Sequence, residues 1–193
     1  DEFLDRNLKL KPRHDIVFGI SQSGETADLL KALEEALACG ASVFGLVNGV
    51  ESSIARAANA GVYLSIGPEI GVASTGAFTA QLAVLLLIAL YIGRRGDVHR
   101  DVGVAALRAL ERVPERIERV LKQEEEIKAL AYRYAKYNGC YFLGRGYNKP
   151  LAKEGALKLL ELSYVQAQSL SLKEMKHGFI ALVGEEFPAI VLA

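Results

Sequence analysis

The sequence predicts an α/β protein made of two parallel-sheet units joined by a helical connector. In residues 15–92, short apolar segments rich in branched residues alternate with segments of helical periodicity, the pattern of a parallel sheet with helical crossovers. Residues 97–138 are charged and helical in period, and the strand–helix pattern resumes from residue 139. We therefore expect three-layer αβα units in residues 1–96 and 139–193, with the connector in residues 97–138 between them.

The first unit should contain three buried strands and three helices. Its strands are predicted at 15–20, 42–47 and 62–65, and its helices at 27–38, 52–59 and 74–92. The helix over 74–92 is apolar almost all the way round, so we expect it to lie between other layers.

The second half of the chain should begin with three helices, separated at Pro114 and near Gln123. A strand at 140–143, a helix at 150–164, a helical turn at 173–176 and a strand at 187–192 follow. Because the chain stops within an apolar strand, we expect the second unit to be cut short.

Composition excludes several classes of protein. The 193 residues are 51% hydrophobic and 24% charged, which excludes a disordered chain. Lys plus Arg and Asp plus Glu number 23 each, and the resulting zero charge argues against nucleic acid as a partner. The longest apolar stretch, residues 82–92, has 11 residues and the start resembles no secretory leader, so we expect a cytoplasmic protein with no membrane role. Two cysteines and three scattered histidines predict no disulfide framework and no metal site.

The segment Ser-Gln-Ser-Gly-Glu-Thr (21–26) lies between the first strand and the first helix of this pattern. Ligands of open α/β sheets bind at the carboxyl ends of the strands, and a helix start favours phosphate. The hydroxyls of Ser21, Ser23 and Thr26 would donate to such an anion, and Gly24 would allow close approach. The alternative is that one serine only caps the helix.

Two further groups of residues allow a functional and a plain structural interpretation. In the loop 67–75, Ser74 or Thr75 either caps the following helix or contacts a ligand. Glu154, Lys158 and Glu161 share one helix face, either as a solvated stripe or as a carboxylate and a lysine that move a proton.

His177 lies just before Gly178 at the predicted end of a helical turn. It is either a favourable charge at that end or a proton donor.

Five motifs occur in order at fitting distances and together resemble one family. They are Ser-Gln-Ser-Gly-Glu-Thr-Ala-Asp (21–28), Glu-Ile-Gly-Val-Ala-Ser-Thr (69–75), Phe-Leu-Gly-Arg-Gly (142–146), Glu-Gly-Ala-Leu-Lys-Leu-Leu-Glu-Leu-Ser-Tyr (154–164) and Leu-Lys-Glu-Met-Lys-His-Gly (172–178). The chain resembles, over almost its whole length, the isomerase part of the glutamine–fructose-6-phosphate aminotransferases, which contains two sugar isomerase (SIS) domains.

The resemblance implies a reaction and the residues that carry it. The reaction turns fructose 6-phosphate and ammonia into glucosamine 6-phosphate, with no metal and no organic cofactor. The implied contacts with the sugar phosphate are Ser21, Gln22, Ser23, Thr26, the backbone of Val72, and Ser74. Glu161 corresponds to the base that shuttles a proton between carbons 1 and 2, Lys158 to its supporting lysine, and His177 to the residue that opens the sugar ring of a neighbouring subunit. The resemblance also implies a homodimer and a glutaminase domain upstream.

Departures from the family pattern lower the expected activity of this chain alone. Position 76 is Gly where the family usually has Lys, and Gln168 replaces a common Glu. The family's first strand with its serine loop, and its C-terminal Schiff-base lysine, have no counterpart here. The resemblance therefore implies that both sheet units are incomplete and that the chain is an internal piece of a longer one. Alternatives are another SIS enzyme, such as a fructosamine-phosphate deglycase or an amino-sugar phosphate deaminase, and a non-catalytic sugar-phosphate sensor. The motifs at 154–164 and 176–178 favour the aminotransferase, because a sensor needs no base.

Overall fold

A computed structural model describes residues 2–6 and 8–193. It contains two separate three-stranded sheets, each with only parallel pairing, which confirms the α/β class. The chain divides into two compact units, one of residues up to Ile70 with Ser74–Leu107, the other of Gly71–Ala73 with Arg108–Ala193. The sequence-based boundaries at residues 96 and 139 stay predictions.

The first unit arranges its strands so that two of its loops are neighbours. Its elements are α1 (Glu2–Asp5), β1 (Ile16–Ser21), α2 (Ala27–Ala38), β2 (Ser42–Val47), α3 (Ser53–Ala57), β3 (Ala60–Tyr63), α4 (Gly76–Gly93) and the first part of α5 (Arg100–Glu111). The strand order is β1–β2–β3, and Ser21 at the end of β1 pairs with Val47 at the end of β2. The loops that follow these strands, 22–26 and 48–52, therefore leave the same sheet edge side by side. The third strand begins two residues earlier than the sequence pattern predicts.

The core of the first unit lies between α2 and the sheet. Leu33, Ala36, Val43, Val47 and Ile54 are its buried members together with Ala41. A Cβ built on Gly19 of β1 would lie 2.5 Å from Leu33 Cδ1, so the bare glycine lets this leucine pack against the strand. The packing fixes β1, and β1 carries the loop 21–26.

Helix α4 does not lie between other layers, contrary to the expectation from its composition. Of its residues only Ala77 is buried, because the described part of the chain covers few of its faces. With 18 residues and a mean hydropathy of 2.0, α4 is long and apolar enough to cross a membrane by those two criteria. In the sequence, the uninterrupted apolar run begins only after the polar Gln81. Helix α4 begins earlier, at Gly76, and includes Gln81. Core helices also have such compositions, so length and apolarity alone assign no role to α4.

The second unit begins with helices and ends in a sheet. Its elements after α5 are α6 (Val113–Leu121), α7 (Glu124–Tyr134), β4 (Gly139–Gly144), α8 (Asn148–Ser163), β5 (Gln166–Ser171), 3₁₀ turns at Glu174–Lys176 and Phe179–Leu182, and β6 (Ala189–Leu192). Helices α5, α6 and α7 confirm the three predicted over residues 97–138. The strand order is β5–β4–β6.

Strand β5 is absent from the sequence-based prediction. Its sequence, Gln-Ala-Gln-Ser-Leu-Ser, is polar and lacks β-branched residues, and only Leu170 is buried. Pairing with the buried strand β4 overrides this weak local preference, with Gln168 opposite Tyr141.

The core of the second unit sits around β4 and determines where α8 begins. Tyr141, Leu143, Leu170 and Met175 are buried together. At the end of β4, a Cβ on Gly144 would lie 2.1 Å from the main-chain oxygen of Asn148 in the first turn of α8. Only glycine allows this close approach. Helix α8 therefore begins close to the end of β4, the central strand of the sheet.

Candidate functional site

The loop 21–26 presents hydroxyl groups whose oxygens are already oriented by the loop itself. The Gly24 amide donates to Ser21 Oγ at 3.0 Å, and the Glu25 amide donates to Ser23 Oγ at 3.1 Å. The Ser23 hydroxyl accepts one bond from the main chain and its hydrogen is free to donate elsewhere. The Ser21 and Thr26 oxygens share one hydrogen bond, so one of their two hydrogens is free to donate elsewhere. Ser21 is buried and Ser23 is exposed.

Helix α2 begins without the side-chain cap that the plain structural interpretation requires. Thr26 occupies the N-cap position and makes no capping hydrogen bond; its Oγ1 lies 3.1 Å from Ser21 Oγ. No residue within 2–6 or 8–193 accepts a hydrogen bond from the amides of Ala27, Asp28 or Leu29. Unsatisfied amides at a helix start carry partial positive charge and suit an anion.

Gly24 and the loop after β2 determine the shape of this loop. Gly24 has a φ of +71°, and a Cβ there would lie 2.0 Å from Ser52 Oγ. The Gln22 carbonyl accepts from the amides of Asn48 at 3.0 Å and Gly49 at 3.2 Å. The main chain of the loop is thus fixed by the loop that follows β2.

In the loop 67–75, Glu69 makes the capping contacts that we assigned to Ser74 or Thr75. Its Oε2 accepts from Ser74 Oγ at 2.7 Å, and its Oε1 accepts from the amides of Thr75 at 2.5 Å and Gly76 at 2.8 Å. The Ser74 hydrogen bond, followed by those amides, holds the pKa of Glu69 below its usual value. The start of α4 is therefore occupied by a carboxylate from its own loop, whereas the start of α2 is open.

Two sequence-predicted positions of this loop have different surroundings. The Ser74 hydroxyl is engaged with Glu69 and only its oxygen retains free lone pairs. Val72 is 90% exposed. A Cβ on Gly76 would make only an ordinary contact of 3.7 Å with Glu69 Oε1, so the site accommodates a side chain there.

Helix α8 brings a lysine and two carboxylates together on a partly buried face. Lys158 Nζ lies 2.9 Å from Glu161 Oε2 and 3.3 Å from Glu154 Oε1. The three side chains are 21–32% exposed, so the cluster is not a fully solvated stripe. The hydrogen bond that Lys158 donates to Glu161 is the main cause that raises the pKa of Lys158, and it outweighs the opposing effect of burial. Lys158 is therefore an ammonium ion at neutral pH.

His177 ends the first 3₁₀ turn of the second unit. Its amide donates to the Glu174 carbonyl at 2.9 Å, its side chain is exposed, and Gly178 follows with a φ of +120°. Among the described residues, the His177 ring makes no hydrogen bond and no ion pair. The ring therefore has no described partner that would prevent it from contacting a ligand.

Sequence reasoning missed two functional candidates, Glu25 and Glu69, although both stand in motifs that carry the family resemblance. Glu25 Oε1 accepts from the Ser53 amide at 2.9 Å, across 28 residues of sequence. In the capping box the glutamate follows the helix start by three residues. Glu25 and Glu69 instead precede the helices whose first amides they accept from, so that motif does not reveal them.

The cysteines and other acidic residues form no further site in the described ranges. No group of three or more His, Cys, Asp or Glu side chains there could hold a metal ion. Burial raises the pKa of the Cys140 thiol, which makes it a poor nucleophile.

Comparison with known proteins shows similarity to one family in the first half of the chain and to named relatives over nearly all of it. Residues 1–91 match the SIS domain family. Glutamine–fructose-6-phosphate aminotransferases from Bacteroides thetaiotaomicron and Chlorobaculum tepidum are each 45% identical, over 93% and 100% of the chain. The chain spans only 30% and 31% of the length of these two relatives.

Solved structures extend the similarity beyond the SIS domain. The C-terminal domain of glucosamine-fructose-6-phosphate aminotransferase from Francisella tularensis matches 98% of this chain with a TM-score of 0.91 and 32% identity, and the match covers 55% of that structure. Glucosamine-6-phosphate deaminase from Thermotoga maritima matches 98% of this chain and 55% of its own, with a TM-score of 0.64. Its 18% identity shows a shared fold alone.

Proposed function

We propose that the chain belongs to the isomerase part of a glutamine–fructose-6-phosphate aminotransferase and binds fructose 6-phosphate. In this proposal the second unit is a second SIS-type unit, and the intact protein is a cytoplasmic homodimer that also carries a glutaminase domain. The observation that supports the proposal best is the loop 21–26, whose free hydroxyls stand beside the open start of α2. This arrangement suits a phosphate group.

The phosphate would be held by Ser21, Ser23 and Thr26, with Gln22 as a further contact. Charge also supports this choice of loop. The start of α4 already holds the Glu69 carboxylate, so a phosphate there would meet a like charge. The contacts proposed for Val72 and Ser74 are then with neutral sugar hydroxyls, for which the backbone of Val72 and the free lone pairs of the Ser74 oxygen are suitable partners.

Glu161 would transfer a proton between carbons 1 and 2 of the sugar. A carboxylate takes the proton from carbon 1 and returns it to carbon 2, while the bond electrons shift between the two carbons. Lys158 donates a hydrogen bond to the Glu161 carboxylate and thereby orients it for this step. His177, with its exposed ring, would give a proton to the ring oxygen so that the chain form of the sugar is available.

A non-catalytic sugar-phosphate sensor is the second candidate. The loop 21–26 serves a sensor equally well. The partly buried Lys158–Glu161 pair favours an enzyme, because a sensor has no use for a carboxylate base. Other SIS enzymes, such as a deglycase or an amino-sugar phosphate deaminase, share the same chemistry and are separated by measuring which product forms.

The phosphate assignment predicts a specific loss on replacing Thr26 by Val. This change keeps the shape of the side chain and removes its hydroxyl, so fructose 6-phosphate affinity should fall by about 1–2 kcal/mol, the value of one bond to a charged group. Titration calorimetry of the chain with fructose 6-phosphate measures the effect, with fructose as the ligand that lacks phosphate.

Thr79→Val is the matched control, because the Thr79 hydroxyl donates to the Thr75 carbonyl within α4. We expect its affinity to equal that of the wild type. Unchanged affinity in Thr26→Val would contradict the phosphate assignment, and equal binding of fructose and fructose 6-phosphate would contradict the proposed function.

The proposed dimer makes a separate prediction about complementation. We would place residues 1–193 in the matching segment of the Chlorobaculum tepidum relative, with either Glu161→Gln or His177→Ala. If His177 serves the partner's site, mixed dimers contain one site with both native residues and should regain about half of the wild-type activity per dimer. Mixed dimers that form, as shown by differently tagged subunits, and remain inactive would show that each site is built within one chain.

A further inference from the structure

Glu25 lies in the loop 21–26 but directs its carboxylate away from the helix that the loop begins. Its Oε1 accepts from the Ser53 amide, the first amide of α3, at 2.9 Å. We propose that Glu25 is a positioning residue that holds the loop 21–26 in the shape that binds phosphate by anchoring it to the start of α3. This inference rests on the proposed function of the loop.

The other anchors of the loop leave its last part to Glu25. The Gln22 carbonyl accepts from the amides of Asn48 and Gly49, and the Gly24 carbonyl accepts from the Ile54 amide at 3.0 Å. These bonds hold the main chain at positions 22 and 24. The Glu25 side chain provides the next anchor, immediately before Thr26 and the open amides of α2.

Glu25 is also connected to a phosphate-binding hydroxyl through its own main chain. The Glu25 amide donates to Ser23 Oγ at 3.1 Å, and this bond orients the Ser23 hydroxyl. Without the bond to Ser53, the Gly24–Glu25 peptide keeps only its anchor at the Gly24 carbonyl, so the Glu25 amide can tilt about that anchor. The Ser23 hydroxyl then loses its fixed direction. Ligand binding must order this hydroxyl, which lowers the affinity.

The negative charge of Glu25 needs compensation, because it stands near a proposed anion site. Hydrogen bonds from Ser53 are the main cause that lowers the pKa of Glu25, with a smaller contribution from Arg56. Arg56 Nη2 itself donates to Ser53 Oγ at 3.2 Å. The negative charge of Glu25 is thus stabilised by groups of α3.

Two pairs of variants distinguish the loss of the hydrogen bond between the Ser53 amide and Glu25 from the loss of the Glu25 charge and from a general loss of stability. Glu25→Ala removes the acceptor, whereas Glu25→Gln keeps an acceptor oxygen and removes the charge. Ser53→Pro removes the amide donor at the first helical position, where proline is well tolerated, and Ser52 before it has the extended backbone that a following proline requires. Ser53→Ala keeps that amide and removes only the hydroxyl. Glu34→Gln, an exposed change of the same charge on α2, is the control for net charge.

Affinity for fructose 6-phosphate at pH 7 is the first measurement. We expect Glu25→Ala and Ser53→Pro to bind about fivefold more weakly, the equivalent of one hydrogen bond, while Glu25→Gln and Glu34→Gln stay within about twofold of wild type. Ser53→Ala should bind more tightly than Ser53→Pro. Equal affinity of wild type, Glu25→Ala and Ser53→Pro would overturn the proposal, and so would a loss in Glu25→Gln as large as in Glu25→Ala.

The NMR shift of the Ser53 amide is the second measurement and needs no ligand. In wild type this amide should follow the titration of Glu25, whose pKa lies below that of an ordinary glutamate, and the titration should vanish in Glu25→Gln. An amide that ignores Glu25 would overturn the anchor whatever the binding data show. A wild-type chain that binds no sugar phosphate would contradict the proposed function, and the phosphate role of Glu25 with it, even if the amide titrates as expected.

Discussion

Glu161→Gln is expected to slow proton exchange between the sugar and solvent by about 10²–10⁴-fold, the usual contribution of a general base. Glutamine has nearly the same shape as glutamate and still accepts a hydrogen bond from Lys158, but it cannot take up a proton from carbon. Substrate affinity should change little, because the phosphate loop is untouched. Incorporation of solvent deuterium at carbons 1 and 2 in the chimaera with the Chlorobaculum tepidum relative measures the rate.

Glu154→Gln is the control that the helix itself offers for this experiment. Glu154 lies on the same helix face and pairs with the same Nζ of Lys158, at 3.3 Å rather than 2.9 Å. Both variants remove one negative charge beside Lys158, so an effect of charge alone would be similar in the two. A comparable loss in both variants, or a substantial exchange rate in Glu161→Gln, would contradict the assignment of Glu161 as the base.

His177→Ala separates ring opening from proton transfer in the same chimaera. Turnover of cyclic fructose 6-phosphate should fall, whereas exchange in a substrate analogue locked in the open-chain form should continue. Equal impairment on both forms would return His177 to the plain interpretation of a charge at the end of a helical turn.

The elements next to the sheet edge are those that sequence reasoning predicts best. The strand before residue 21 and the helix after residue 26 have strong local signals: a short branched apolar run, then leucines at helical spacing. The grouping of Glu154, Lys158 and Glu161 follows from helix geometry alone, and the two ion pairs confirm it. Helical periodicity therefore predicts a group of candidate residues when all of its members lie on one helix.

Contacts between distant segments are what the sequence leaves undetermined. The bond from the Ser53 amide to Glu25 depends on two loops leaving adjacent strands, so no local pattern reveals it. Glu69 reaches the start of α4 over a loop whose path no propensity dictates. Strand β5 forms because β4 offers it a partner, not because its polar sequence favours a strand. In each case the deciding interaction is tertiary.

Leu33→Ala is expected to destabilise the first unit by about 2–5 kcal/mol, the usual cost of emptying a fully buried leucine site. Leu33 has no exposed surface, and its Cδ1 occupies the space directly above Gly19 of β1. Gly19→Ala alone should cost about 1–3 kcal/mol, because its new methyl group would lie 2.5 Å from that Cδ1. In the double variant the alanine methyl partly fills the cavity, so the combined loss should be smaller than the sum by about 1–3 kcal/mol.

Native-state hydrogen exchange of the β2 amides measures these free energies within the first unit. Gly155→Ala provides the comparison, since the three atoms nearest its Cβ belong to Phe142 of β4 and none belongs to Leu33. It should leave the cost of Leu33→Ala unchanged. Strict additivity of Leu33→Ala and Gly19→Ala would show that this leucine does not fix β1, and that the position of the loop 21–26 depends on other contacts.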